Sequence, residues 1–202
     1  MVPIYFLIGT ILVVFLDVAL SRRKAAGAKA GHGELPGFIV LPDRFYAPNH
    51  TWSRIAEGGS VEVGLDDFAA RLLGRIDNIE VPRPGTKVEK GRTLIAIRRE
   101  GHIAKISSPI EGVVNETNVA LTARPALISE KPGMTWFVRI RPENLKGDLG
   151  DLRFGNEAVA WTRNEAGRLA GFLKSKGAAP APGVVERFDA GVFESFAREF
   201  LR

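Results

Sequence analysis

The side chains best suited to chemistry or recognition surround one predicted hairpin, "LIAIRREGHIAKISSPIEGVV", at residues 94–114. Two short apolar runs flank a turn that includes Glu100 and Gly101. The basic side chains at this tip are Arg98, Arg99, His102 and Lys105. Guanidinium groups pair bidentately with carboxylates, which would make the tip a docking surface for an acidic partner. The alternative is a solvated hairpin end, and the residues alone leave both open.

The composition excludes several classes of active site. The chain has no cysteine, and its three histidines, His32, His50 and His102, are scattered, which excludes a thiol nucleophile and a cysteine-based metal site. The sequence contains no recognisable Ser-His-Asp set or phosphate loop and no residues suited to haem or flavin. We therefore predict a protein that is not an enzyme and binds no cofactor or metal. The net charge of +5 lacks a basic stripe with interleaved aromatics, so no nucleic-acid partner is expected.

The first 24 residues predict a membrane anchor. No residue from Val2 to Leu16 is charged, and counting through to Leu20 gives about the 20 residues that a bilayer core requires. The large apolar side chains of this run include Ile4, Phe6, Leu7, Leu12, Phe15 and Leu16. The basic residues 22–24 would stay in the cytoplasm, which predicts a single pass through the inner membrane with the N-terminus outside. A cleaved signal peptide is the alternative, but its charge would precede the run. Asp17 would lie at the headgroups or pair with a partner's helix.

Two regions that differ in composition and residue pattern follow the predicted anchor. Residues 25–37 are small and glycine-rich, which is typical of a flexible linker. Residues 38–145 consist of short apolar or alternating runs between Gly, Pro and Asn turns, and this pattern predicts strands. The exception is "LDDFAARLLGRI", where Phe68 and Leu72 share a helical face and Gly74 follows. The region is therefore predicted to be mainly β with one short helix.

The last third of the chain is predicted to be helical. Residues 146–176 form a helical extension in which Asn156 is a candidate N-cap. Residues 177–202 contain a Pro/Gly linker and then an amphipathic helix. The apolar stripe of that helix includes Phe193, Phe196 and Phe200. The stripe either packs on its own domain or docks into the groove of a partner.

Several motifs follow one another in an order found in a known family. His50 and Trp52 in "NHTW" come first, followed by "LDDFAARLL", "PRPGTKVEKG", "SSPIEGVVNETN" and "KPGMTW". In this order the motifs resemble the glycine cleavage system H proteins over about residues 45–145. The resemblance implies the barrel-sandwich hybrid fold of lipoyl and biotinyl domains. His50 would then be a residue of the fold rather than a reactive group.

The resemblance also implies where the chemistry of such a protein would lie. In that family a lysine at the hairpin tip carries lipoate through an amide, sixteen residues after the glycine of the Pro-x-x-Gly segment and eight before the proline of the closing turn. Counting forward from Gly85 and back from Pro109 leads to Gly101 both times. Glycine has no nucleophile, so the tip cannot be lipoylated. Lys105 is the nearest lysine, but it is predicted on the outgoing strand.

These observations predict a lipoyl-type barrel-sandwich hybrid, mainly β with helices, between an N-terminal transmembrane helix and C-terminal helices. The predicted function is that of a non-lipoylated, membrane-anchored subunit that docks within an inner-membrane complex, such as a respiratory or other redox complex. Its partners would be the other subunits and the lipid bilayer. The alternative is a membrane-tethered lipoyl carrier of the glycine cleavage system, modified at Lys105.

Overall fold

The computed structural model describes residues 33–34, 37–178, 181 and 183–201. The strands are β1 (Gly33–Glu34), β2 (Ile39–Val40), β3 (Phe45–Tyr46), β4 (Thr51–Ile55), β5 (Val61–Leu65), β6 (Asn78–Glu80), β7 (Lys87–Val88), β8 (Thr93–Arg99), β9 (His102–Ser107), β10 (Gly112–Thr117) and β11 (Trp136–Pro142). The α-helices are α1 (Asp67–Leu73), α2 (Val119–Ala123), α3 (Leu127–Glu130), α4 (Leu145–Gly150), α5 (Gly155–Ser175) and α6 (Ala190–Phe200). Short 3₁₀ turns occupy Glu57–Gly59 and Val184–Arg187.

Two antiparallel sheets form the centre of the fold. The larger has the order β3-β4-β5-β11-β10-β7, and the smaller has the order β6-β8-β9. Ile95 and Ile97 of β8 and Val61 and Val63 of β5 are fully or almost fully buried in one common core. The prediction of a mainly β domain with helices is confirmed.

The short helix predicted within this domain is α1, and its ends follow from local chemistry. Asp66 caps the N-terminus by accepting a hydrogen bond from the amide of Ala69 at 2.8 Å. Gly74 ends the helix with a φ of 65°, a conformation that glycine adopts at little cost. Phe68 and Leu72 are buried in the core, as the helical face predicted.

The C-terminal helices pack on the same domain. Helix α5 places Ala158 against Trp52 and Tyr46 on the outer face of the larger sheet. Further along α5 and α6, Leu169 and Phe196 join the main core. The predicted N-cap at Asn156 is wrong: α5 begins one residue earlier, and the cap position belongs to a phenylalanine without a side-chain capping bond.

The predicted anchor at residues 1–24 lies outside the described residues, as does most of the linker at 25–37. Among the helices that the structure does describe, none is both long enough and apolar enough to span a bilayer. The described residues from 34 onward form one compact unit.

Candidate functional site

The predicted hairpin is present, and its tip is a two-residue turn. Strands β8 and β9 pair antiparallel, and Arg99 opposite His102 is the last pair. Glu100 and Gly101 form the turn with φ angles of 45° and 83°. Two successive positive φ values are typical of the turns that match the twist of a hairpin, and they favour glycine. A Cβ at Gly101 would have no neighbour within 4 Å in the described chain, so backbone conformation rather than space favours glycine here.

Arg99 is not available to a partner, contrary to the docking prediction. Arg99 is only 4% exposed, and its Nη1 donates a 2.8 Å hydrogen bond to the carbonyl oxygen of Val185. Its Nη2 lies 3.4 Å from the carboxylate of Glu100. The reason is the strand period: Arg99 follows Ile95 and Ile97 at intervals of two, so it points to the same buried side of β8. The guanidinium therefore holds the C-terminal part of the chain rather than presenting a charge.

The other basic residues of the tip have different surroundings. Arg98 is on the exposed side of β8, where its Nε donates to Glu80 at 2.6 Å. His102 is half-buried and stacks on Phe193 with 5.4 Å between ring centroids. Lys105 is exposed and lies within strand β9, opposite Ala96, rather than at the turn. The exposed positive charge at the tip is thus smaller than the sequence suggested.

The phenylalanine stripe of α6 is also buried within this chain. Phe193, Phe196 and Phe200 are at most 1% exposed. Phe200 lies 5.8 Å from Phe68 of the core, measured between ring centroids. The alternative that these three rings dock into a partner is therefore wrong, because their apolar surface is already covered.

Residues 183–201, which we call the C-terminal segment, contact the hairpin and α1 together. The carbonyl of Val185 accepts the hydrogen bond from Arg99, and the ring of Phe193 stacks on that of His102. The carboxylate of Glu186 accepts a 2.6 Å hydrogen bond from the amide of Arg75, just beyond α1. A third contact at the hairpin is independent of this segment, because the amide of Glu100 donates a 2.7 Å hydrogen bond to the carboxylate of Asp77.

A second group of titratable side chains lies in the core around His50. The imidazole is fully buried, and its Nδ1 lies 2.7 Å from Asp66 Oδ2. Its Nε2 lies 3.6 Å from Glu165 Oε2, just beyond hydrogen-bond length. The ring stacks on Phe68 at 4.0 Å. Burial by itself lowers the pKa of His50, but the two carboxylates outweigh it, so the pKa is raised.

Glu165 completes this cluster from α5. Burial acts to raise the pKa of Glu165, but the charges of His50 and Arg168 outweigh it, so the pKa is lowered. Our sequence interpretation missed this role of Glu165. The available signal was its position on the apolar face of α5, between Trp161 and Leu169. Because the imidazole is sealed from water, the cluster ties α5 to the barrel and offers no group to a substrate.

Nothing in the described residues gathers three histidine, aspartate or glutamate side chains in a geometry suited to a metal ion. The tip of the hairpin likewise has no primary amine at its turn, because its two residues are glutamate and glycine. The site can therefore present surface and charge to another molecule. A covalent arm could be attached only at a lysine elsewhere, of which Lys105 is the nearest in sequence.

Comparison with known proteins gives a consistent result. The family model described as "Glycine cleavage H-protein" matches residues 44–165. A "Probable glycine cleavage system H protein" of Pyrococcus abyssi is 33% identical over 142 residues, covering 70% of this chain and 98% of that protein. "Glycine cleavage system H protein 2" of Aquifex aeolicus is 36% identical over 128 residues, covering 62% and 80%. A crystal structure of an H protein from Mycobacterium marinum matches 52% of this chain and 87% of that one, with 28% identity and a TM-score of 0.48.

Proposed function

This chain belongs to the glycine cleavage H-protein family, and from that premise we propose that it is a member without a lipoyl arm. In this proposal it serves as a structural or docking subunit of a membrane-bound complex, such as a respiratory or other redox complex. The barrel supplies a rigid surface, and the C-terminal segment supplies a second, fixed element. The family match ends at residue 165, so that segment lies beyond the matched part of the chain.

The turn of the β8–β9 hairpin carries this proposal. The resemblance places the lipoyl lysine at the residue that is Gly101 here, and a glycine offers no amine for acylation. The residues that flank the turn are also fixed, because Arg99 and His102 contact the C-terminal segment, and this supports a rigid surface at the hairpin. Both features favour a surface over a carrier.

Mass spectrometry of the native protein tests the absence of the arm. We expect the intact mass of the unmodified chain and an unmodified peptide around Lys105. The variant Gly101→Lys is the positive control, since it restores an amine at the turn where a side chain has open space. Lipoylation of that variant alone would support the proposal, whereas a lipoyl group on Lys105 of the natural chain would refute it.

The second candidate is a lipoyl carrier of the glycine cleavage system that is modified at Lys105. Two observations favour it: several relatives are named glycine cleavage system H proteins, and Lys105 is exposed. It requires an attaching enzyme that accepts a lysine within a strand. The variant Lys105→Arg separates the candidates, because it would abolish lipoyl incorporation only if this second proposal were correct.

Membrane attachment is part of the first proposal and rests on residues 1–24. We propose a single anchor with the domain on the cytoplasmic side of the inner membrane. We expect the full chain in the membrane fraction, and a chain lacking residues 1–24 in the supernatant. Purification in mild detergent should also recover other membrane subunits with it. Recovery as a lone monomer would count against the role as a subunit.

A further inference from the structure

The outer face of the larger sheet is only partly covered by the chain's own helix. At one end, Ala158 of α5 packs on Trp52 and Tyr46. Beyond α5, the β3 edge and the β4–β5 end of this sheet form an open groove of about 800 Å³. We call this the sheet groove. Its lining includes Asp43, Phe45, Arg54, Ile55, Glu57, Glu62, Glu116, Arg139 and Phe154.

A row of alternating charges forms the floor of the sheet groove. Arg54, Glu62, Arg139 and Glu116 lie side by side on four neighbouring strands, β4, β5, β11 and β10. Glu62 is buried and accepts hydrogen bonds from Arg54 Nε at 3.0 Å and from Arg139 Nη2 at 2.9 Å. Arg139 also pairs with Glu116. Both guanidinium groups are therefore already bonded to carboxylates, which makes the floor a poor site for an anion.

The charge that remains at the sheet groove is negative. Its lining contains four carboxylates, from Asp43, Glu57, Glu62 and Glu116, against the two guanidinium groups. Arg44, just outside the lining, lies 3.7 Å from Asp43 and lowers the local excess to one negative charge, which is opposite in sign to the net charge of +5 for the whole chain. Asp43 and Glu116 each pair with arginine but are about half exposed, and Glu57 is exposed, so these carboxylates also face solvent at the rim.

The apolar side of the sheet groove lies next to this negative rim. Phe45 and Phe154 stack with their ring centroids 4.7 Å apart. Phe154 is 48% exposed and Ile55 is 50% exposed, which is high for side chains of this size. Aromatic faces attract cations as well as apolar groups. The surface therefore combines an exposed aromatic pair with an excess of carboxylates.

We infer that the sheet groove binds a segment of a partner protein that carries lysine or arginine beside an aliphatic or aromatic residue. Charge complementarity selects the basic residue, and the Phe45–Phe154 pair with Ile55 accepts the apolar one. This inference goes beyond the proposed function, because it names the chemistry of a partner and a surface remote in sequence from the hairpin. It does not depend on whether the chain carries a lipoyl group, which the mass measurement decides separately.

Fluorescence anisotropy tests the inference with the full-length chain in non-ionic detergent. The probe is a labelled Lys-Leu-Lys-Phe-Lys peptide, and the matched control probe has glutamate in place of each lysine. We expect saturable binding of the basic probe that weakens as salt rises, because exposed charges are screened. The micelles alone give the background. Absence of binding above that background, or equal binding of the acidic probe, would overturn the inference.

Variants locate the binding at the sheet groove. The double variant Glu57→Gln/Glu116→Gln, and separately Phe154→Ala, should each weaken binding by about three- to tenfold. The matched control is Glu89→Gln/Glu143→Gln, which removes two exposed carboxylates outside the groove lining. It should leave binding unchanged. Equal loss in both double variants would overturn the inference, and Asp43→Asn replaces any groove variant whose circular dichroism shows that it does not fold.

Discussion

Raising the pH above neutrality is expected to destabilise this protein through one buried side chain, His50. The imidazole is fully buried between Asp66 and Glu165, and these carboxylates raise its pKa above the ordinary value of 6.5 although burial opposes them. In the unfolded chain the same imidazole titrates near its ordinary value. The stabilisation that protonated His50 gives the folded chain is therefore fully present below about pH 6.5, and it is lost as the pH rises through the folded-state pKa of His50.

One proton sets the size of this effect. Where the folded chain keeps the proton and the unfolded chain has lost it, the free energy of unfolding falls by about 1.4 kcal/mol for each pH unit. Between about pH 6.5 and 8 the loss reaches up to about 2 kcal/mol. Glu165 and its partner Arg168 add nothing in this window, because the lowered pKa of Glu165 makes its contribution disappear only at acidic pH.

Urea unfolding followed by tryptophan fluorescence measures the effect in the natural chain and in His50→Asn. Asparagine is chosen because His50 has a φ of 60°, a conformation that asparagine tolerates. We expect the variant to be less stable by about 3 kcal/mol, because a buried carboxylate loses its partner. Its free energy of unfolding should also change less with pH. Glu165→Gln keeps the imidazole and should reduce the pH dependence in part, which gives a second measurement if His50→Asn does not fold.

The same pH dependence in the natural chain and in both variants would refute this reasoning, since the proton would then reside elsewhere. The other two histidines are present in all three proteins, so their titration cancels in the comparison. If a variant lost the same stability at every pH, the free energy of unfolding would keep its slope against pH. That result would show that the cluster is held by packing of the ring rather than by its charge.

Three further predictions concern packing and use the same unfolding assay. Arg99→Ala should lower the free energy of unfolding by about 1–3 kcal/mol, because it removes a buried hydrogen bond from a charged donor, whereas the exposed Arg98→Ala should cost less than about 0.5 kcal/mol. Equal costs would contradict the burial of Arg99. Phe196→Ala should cost about 3–5 kcal/mol because its ring is fully buried, and a cost below about 1 kcal/mol would show that α6 does not pack on the domain. Gly64→Ala would push a methyl group into a backbone carbonyl and an indole ring and should cost more than about 1 kcal/mol, while Gly150→Ala, with open space in the described chain, should be nearly neutral.

The parts of the fold that were predictable are those that local sequence determines. Alternation of apolar residues indicates strands whatever surrounds them, and the aspartate before α1 and the glycine after it mark a helix at both ends. The turn at Gly101 follows from the same local logic, because two positive φ values favour glycine.

The site was less predictable because its contacts are distant in sequence. The apolar stripe of α6 is equally suited to its own core and to a partner's groove, and only the tertiary structure distinguishes them. Arg99 could have been placed by the strand period, since it follows two inward-pointing isoleucines, but its charge suggested an exposed position instead. The bond between Arg99 and Val185 spans 86 residues, a separation that no local pattern reveals.

The hairpin tip and the C-terminal segment are linked thermodynamically. Burying a guanidinium is costly unless its hydrogens are bonded, and here a carbonyl of the C-terminal segment accepts one of them while Glu100 lies beside the other side of the group. Displacing the segment would expose Arg99 and the three buried phenylalanines of α6 together, so the flanks of the turn stay packed as long as the helix is docked. The glycine at the turn and the packing of the C-terminal segment against its two flanks are therefore compatible features of one rigid hairpin.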